Sequence, residues 1–360
     1  MKDRIKLLML VNYIPHYRLP VIEKIGEIYD LTVAHYAEAP LKENTLFKQI
    51  KLTPKNLYKF KFYKEDIFKL SSNYDVVLTL SELWTVPNML LGFKKRSFGL
   101  VYWGIGVTAS YDKSFDSGGF IDKIRMYISN KADSLLFYSD YPIKKHLDFG
   151  IKREKLFVAN NTVLVEKKIE IKKEKKHFIF VGSLYKQKKI YDLLHAYKEY
   201  ITFAENIHPL IIIGDGDEKS NIQKWIKDEK FEEYISLKGH ISDQNILEKY
   251  YEDSLACISP GQAGLTVLNC MAYGVPFVTT ENAITGGEIL NIDHNINGIK
   301  YKGAEGELSQ ILSKLSKDNA FVNFLSVNAQ NHYFENRTVD KMVKGFKEAI
   351  DYAYLTINQN

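Results

Sequence analysis

Short apolar runs alternate with amphipathic segments along the whole chain, and this alternation restricts the fold more than any other feature. Residues 5–11 read as a first strand, followed by a loop at 12–17 and a helix with Leu19, Ile22, Ile25 and Ile28 at helical spacing. Further strands are expected at 31–35, 75–80, 100–103 and 134–138, the last preceded by a helix with Ile121, Ile124, Tyr127 and Ile128 on one face. The run VEKKIEIKKEKKH, 165–177, is charged, has no apolar stripe and reads as a linker. The alternation then restarts. A strand at 178–181 runs into Gly182, a helix turns Leu193, Leu194 and Tyr197 inward, and a strand at 209–213 leads to Gly214-Asp215-Gly216. A helix through Ile222, Trp225 and Ile226 follows, with strands at 234–237, 255–258 and 276–279. The end is amphipathic through Met342, Val343, Phe346, Ile350 and Tyr354.

Alternating strands and helices imply parallel sheets covered on both faces. The expected fold class is α/β with two Rossmann-like doubly wound domains facing across a cleft: 1–165, a linker at 166–176, and 177–335. Residues 336–360 are expected to form a closing helix that packs back toward the first domain. Such sheets bind ligands at the carboxyl ends of their strands, so the loops after strands are the places to look for chemistry.

Hydrophobic residues at 45% and charged residues at 26% are an ordinary globular balance. Cys257 and Cys270 lie in apolar contexts, which predicts free thiols and a cytoplasmic location; no secretory signal or bilayer-length apolar stretch is visible. The net charge of +5 is uneven. Residues 1–176 hold 31 Lys and Arg against 20 Asp and Glu, and the remainder 18 against 24. A basic first half is attracted to anionic lipid, polyphosphate or nucleic acid, or is simply a solvated lysine-rich surface, which lysines alone favour; the lipid reading allows peripheral contact with the inner face of the cytoplasmic membrane. No nucleic-acid motif with interleaved aromatics occurs, so no nucleic-acid partner is expected.

Three loops carry candidate chemistry. In GSLYKQKK, 182–189, Gly182 ends a strand and Lys186, Lys188 and Lys189 precede a helix, an arrangement that suits an anion; GxxxxGK[ST] spacing is absent. In GDGDEKSNI, 214–222, the aspartates suggest either a metal site or, preferably, a turn and helix start; no other cluster has metal-ligand spacing, and no metal or cofactor is expected. In SPGQAGLTVLNCMAYGVPFVTT, 259–280, a strand ends at Ser259-Pro260-Gly261, and a helix over 264–273 would leave the N–H groups of Gly264, Leu265 and Thr266 for an anion, with no carboxylate nearby. In the first half, His16, Tyr17 and Arg18 follow the first strand. Arg18 either holds a phosphate or orients its loop by pairing with an acid. The loop at 110–119, with few apolar residues and paired glycines, reads as a mobile cover over a bound ligand.

The segments FIFVGSLYKQKKIYDLL, PLIIIGDGDE, ISLKGHISDQNILEKYYEDSLACISPG and GLTVLNCMAYGVPFVTTENAITGGE, in that order, resemble GT-B fold glycosyltransferases, above all the retaining family 4. NYIPHYRLPVIEKI, VYWGIG and KADSLLFYSDYPIKKHLDFGIKREKLFVANNTV resemble that family's acceptor domain. The resemblance implies a hexosyltransferase that moves a sugar from a UDP- or GDP-sugar to a hydroxyl of a glycan or lipid-linked acceptor. The setting it implies is bacterial surface polysaccharide synthesis: lipopolysaccharide O-antigen, capsule or exopolysaccharide. Ser183 stands at the family's diphosphate arginine, Lys188 matches its lysine, and Lys189 replaces the glycine after it. Gly239, His240 and Ile241 match the loop that contacts the base. The paired glutamates fall on Gly261 and Asn269, where the Asn269 amide can still accept from a ribose hydroxyl; Gln262 lies between them. The acceptor-side histidine falls on Ile105, after Gly104. Lys188 and Glu288 are the expected catalytic groups, Glu288 being equally readable as a helix-start acid after Gly286-Gly287. A sugar-nucleotide epimerase of the same fold and a non-catalytic binding subunit are the alternatives.

Overall fold

The computed structural model describes residues 4–37, 45–108 and 115–359. They form two compact units: one from the residues up to Thr108, Asp116–Leu164 and Thr338 onward, the other from Phe115 and Val165–Arg337.

The first unit contains β1 (Lys6–Leu10), β2 (Asp30–His35), β3 (Lys48–Lys51), β4 (Pro54–Leu57), β5 (Phe60–Tyr63), β6 (Val76–Leu80), β7 (Gly99–Gly104), β8 (Ser134–Phe137) and β9 (Leu156–Val158). Its helices are α1 (Leu19–Ile28), α2 (Ile67–Ser71), α3 (Val86–Leu90), α4 (Phe120–Ser129) and α5 (Ile143–Asp148). Seven strands form a sheet in the order β3-β2-β1-β6-β7-β8-β9, and β4 and β5 make a separate hairpin. All the pairings of the large sheet are parallel. Leu7, Leu8, Met9 and Leu10 of β1 are all fully buried, because both faces of a parallel sheet are covered and its central strands are apolar without alternation.

The second unit contains β10 (His177–Val181), β11 (Leu210–Ile213), β12 (Ile235–Gly239), β13 (Ser254–Ile258), β14 (Gln262–Ala263), β15 (Phe277–Thr280), β16 (Ile284–Thr285) and β17 (Gly298–Tyr301). Its helices are α6 (Ile190–Phe203), α7 (Lys219–Asp228), α8 (Gln244–Glu252), α9 (Thr266–Ala272), α10 (Glu307–Lys317) and α11 (Asn319–Asn336). Six parallel strands run in the order β12-β11-β10-β13-β15-β17, with β14 and β16 paired apart from them.

The last helix, α12 (Val339–Asn358), belongs to the first unit. Met342, Phe346, Ala349, Ile350 and Ala353 are buried against that unit's sheet, with the Phe346 ring edge-on to Trp103 at 4.9 Å.

Two segments carry structure that the sequence pattern does not state. The charged run is held along the second unit. Asp253 accepts from Lys172 at 2.7 Å and Lys176 at 3.0 Å, Lys175 donates to the Glu252 carbonyl at 3.1 Å, and Gln330 donates to the Ile169 carbonyl at 2.9 Å. Its lysines therefore strap it to the second unit, an effect no apolar stripe announces. In α4 the face carrying Ile121, Ile124 and Tyr127 points outward, and Asp122, Met126 and Ser129 are buried instead. The reason is electrostatic: the Asp122 carboxylate accepts from Thr108 and Lys145, both at 2.6 Å, and pairs with Arg125 at 2.5 Å. Burial raises the Asp122 pKa, but these donors outweigh it and hold the carboxyl below the usual range.

Candidate functional site

Strand order locates the site in the second unit. From β10 the chain builds outward to β11 and β12, then returns to lay β13, β15 and β17 on the other side. The loops after β10 and β13 therefore diverge at a topological switch point, where ligands of doubly wound sheets bind. These are the loops of Gly182-Ser183 and Ser259-Pro260-Gly261.

Lys188 is the pivot. Of the three lysines in its loop, Lys186 and Lys189 are exposed, whereas Lys188 is only 8% exposed. Its ammonium folds back over Gly182, 3.3 Å from where a Cβ on that glycine would lie, and sits 5.6 Å from the centroid of the Tyr185 ring. Among the described residues no carboxylate pairs with it. Burial pushes this ammonium below the ordinary lysine range. A buried cation without a counter-ion at the carboxyl end of a parallel sheet is a demand for an anion.

The Gly261 loop packs onto the Lys188 loop. Gly261 N–H donates to the Lys188 carbonyl at 3.2 Å, and a Cβ at 261 would lie 2.1 Å from the Gln187 carbonyl oxygen. No side chain fits there, which accounts for a glycine where the resembled family has a glutamate. Lys189 sits at φ 50°, ψ 43°, the left-handed conformation that suits the family's glycine. Gly214 has the same cause as Gly261: a Cβ there would meet the Gly182 carbonyl oxygen at 1.8 Å, so the GDGDE segment is a close-packed turn. Asp215 is engaged with Lys219 at 2.6 Å.

The segment from 259 is pinned by hydroxyls. Thr279 donates to the Ser259 carbonyl, Thr280 to the Pro260 carbonyl and Ser259 to the Gln262 carbonyl, each at 2.8 Å; Gln262 accepts from the Tyr185 hydroxyl. The expected helix over 264–273 is shorter, α9 starting at Thr266. Among the described residues no backbone carbonyl accepts from the N–H groups of Gly264, Leu265 or Thr266. Asn269 lies half-buried on α9, and no described group bonds its side-chain amide. Gly239 ends β12, and His240 and Ile241 follow it; the Gly239 carbonyl accepts from Gly214 N–H at 2.9 Å. Glu288 starts a short 3-10 turn, and its carboxylate accepts from Gly286 N–H at 3.0 Å, so it shapes its own loop.

The first unit has its own switch point, between β1 and β6. There Asn12 donates to both oxygens of Glu82 at 2.9 Å. Sequence reasoning missed Glu82; its only signal is its place just past a strand end. His16 and Tyr17 are exposed in the loop after β1, and Gly104 and Ile105 are half-buried at the end of β7. Arg18 is 4% exposed, its guanidinium lies 5.0–5.4 Å from the ring centroids of Tyr17, Trp103 and Tyr138, and it donates to Met342 Sδ at 3.1 Å. It anchors the loop through rings, and among the described residues no acid pairs with it. Of the expected cover at 110–119, residues 110–114 lie outside the described residues.

The chain superposes on a crystal structure of Anabaena Alr3699/HepE in complex with UDP, with a TM-score of 0.72, 15% identity, and 96% of this chain and 100% of that one covered. The fold is GT-B. Residues 164–332 match the family described as Glycosyl transferases group 1. Two curated relatives are similar in sequence. N-acetyl-alpha-D-glucosaminyl L-malate synthase of Bacillus anthracis is 24% identical over 212 residues, 58% of this chain and 53% of that protein. Alpha-monoglucosyldiacylglycerol synthase of Acholeplasma laidlawii is 25% identical over 177 residues, 48% of this chain and 43% of that protein. The chain thus spans about half the length of these relatives. The group 1 match over 164–332 supports a glycosyltransferase, and the structural likeness supports the fold.

Proposed function

We propose that this GT-B chain transfers a sugar, with retention and without a metal, from a nucleoside-diphosphate sugar to a hydroxyl of a glycan or lipid-linked acceptor in bacterial surface glycan synthesis. The observation that carries the reading is the buried Lys188 ammonium, set at the switch point of the second unit, for which the described residues supply no counter-ion. The complex of HepE with UDP supports a uridine donor, and the glycosyl-transferring relatives support the reaction class.

The hard event is departure of the diphosphate from the anomeric carbon. Lys188 and the N–H groups of Gly264, Leu265 and Thr266 stabilise the charge that gathers on the leaving oxygen, in a site preorganised before substrate arrives. The bond from the anomeric carbon to the diphosphate breaks, the bond to the acceptor oxygen forms on the same face, and the acceptor proton passes to a diphosphate oxygen. This route needs no protein carboxylate, which suits Gly261 and Asn269. Asn269 receives the ribose, and Gly239, His240 and Ile241 receive the base.

A panel of nucleoside-diphosphate sugars tests the reading by thermal stabilisation, since a ligand that binds only the native state raises the melting temperature. One or more UDP- or GDP-sugars should stabilise the protein and be consumed only when a glycan or glycolipid acceptor is added. Epimer formation from donor alone would replace this reading with an epimerase, and stabilisation by no nucleotide would replace it with a binding subunit.

A further inference from the structure

The outward face of α4 is apolar and exposed. Phe120 is 76% exposed, Tyr127 55%, and Ile121 and Ile124 about two-fifths. Leaving such side chains in water forgoes roughly 1.5–3 kcal/mol each, and contiguous apolar surface on a soluble protein marks a binding face.

The exposed side chains continue beyond α4. The Tyr127 ring lies 6.1 Å from Phe93, which follows α3 and is itself half exposed, and Lys131 reaches over both rings at 4.9 and 5.8 Å. At the other end of α3, Trp84 meets Phe60 of the hairpin at 5.7 Å, with the Lys59 ammonium 3.9 Å from the Trp84 ring. The hairpin tip carries Tyr58, 97% exposed. Between hairpin and α3 lies a groove of about 200 Å³ lined by Phe62, Ile67, Val86, Pro87, Leu90 and Lys94. Glu65 and Asp66 also line it, and both are engaged: Glu65 accepts from Thr53 N–H and Asp66 caps α2 at Lys69 N–H.

Charge decides the occupant. Residues 54–66, 84–98 and 119–131 hold ten Lys and Arg and three acids, Glu65, Asp66 and the buried Asp122; Arg96 and Arg125 pair with Asp133 and Asp122, which leaves the eight lysines to set the sign of the surface. A band this positive repels a second copy of itself, whereas aromatic rings interleaved with lysines match the boundary of an anionic bilayer: the rings enter the headgroup layer and the ammonium groups meet lipid phosphates. No helix among the described residues is long and apolar enough to cross a membrane, so the contact is a surface one.

We propose that the β4–β5 hairpin tip, Trp84, the α3 end and the outer face of α4 form a docking surface for a bilayer rich in anionic lipid. The proposal assigns the membrane contact to named residues and is independent of the donor site.

The test is co-sedimentation of the full chain with vesicles of phosphatidylcholine alone or mixed equally with phosphatidylglycerol. The protein should pellet with the mixed vesicles, release at high salt, and stay in solution with phosphatidylcholine alone. Ile121→Ser, Ile124→Ser and Tyr127→Ser combined, and separately Lys59→Gln, Lys94→Gln and Lys123→Gln combined, should each lower vesicle affinity at least tenfold without lowering the melting temperature. If either triple variant is poorly folded, the wild-type Trp84 emission decides: it should shift to shorter wavelength on mixed vesicles, and the shift should vanish in Trp84→Phe. Wild type left in the supernatant, triple variants that sediment like wild type, or a Trp84 signal blind to vesicles would each overturn the proposal. Lys188→Ala should still sediment, which separates failure here from failure of the donor assignment.

Discussion

At residue scale the site depends on two backbone facts around Lys188. Gly261 leaves no room for a Cβ beside the Gln187 carbonyl. Gly261→Ala should therefore displace the Lys188 loop, costing roughly 1–3 kcal/mol as an overpacked substitution does, and weaken nucleoside-diphosphate binding about tenfold. Thermal melts and titration calorimetry check both numbers; wild-type values would mean the loop tolerates the side chain. Lys189 is left-handed without being glycine, a conformation that costs an L-residue about 1–2 kcal/mol. Lys189→Gly removes that strain but adds freedom to the unfolded chain. The net expectation is a gain of up to about 1 kcal/mol, visible as a melting temperature a few degrees higher; a lower one would contradict the strain. Position after a strand offered three lysines alike, and only the match to the resembled family singled out Lys188; its burial was not legible in the sequence, because burial depends on how the Gly182 and Gly261 loops fold over it. The ring cage around Arg18 was hidden for the same reason, since it joins segments far apart in the chain.

At element scale, strands buried on both faces were legible, since runs such as LLML and FIFV are continuous and apolar. Edge strand β3, KQIK, was not, because an exposed edge needs no apolar pattern. The α4 periodicity was legible but its direction was not: a helical stripe identifies a face, and the ions around Asp122 decide which face turns inward. For α12 pattern and packing agree. It buries Val339, Met342, Val343, Phe346 and Ile350, worth on the order of 10 kcal/mol of gross apolar burial, comparable to a domain's whole stability. Deleting residues from Val339 onward should abolish hydrogen-exchange protection in β1, β7 and β8 and leave β10, β11 and β13 protected. Protection retained in β7 would show that the sheet holds without its helix.

At the scale of the whole molecule, the restart of the strand–helix alternation made two Rossmann-like domains readable, and the ordered segments that resemble GT-B glycosyltransferases gave the GT-B expectation without any single strong motif. What remained hidden were relations between distant segments, such as Asn12 with Glu82 and the strap of 165–176 along the second unit. The same molecule should respond to pH in a defined direction. The Lys188 ammonium must be charged to bind a diphosphate, and burial lowers its pKa in the free protein. Nucleoside-diphosphate affinity should therefore fall as pH rises through a value below the ordinary lysine range, and Lys188→Arg, which stays charged, should flatten the profile. A wild-type affinity constant across that alkaline range would mean another group supplies the charge.

The central claim is that Lys188 holds the donor diphosphate, and calorimetric titration of wild type and Lys188→Ala with UDP and with GDP tests it most directly. The account predicts that the better of the two binds wild type and binds Lys188→Ala at least tenfold more weakly, about 1.4 kcal/mol, while the melting temperature of the ligand-free variant does not fall. Equal affinity in the two proteins would contradict it.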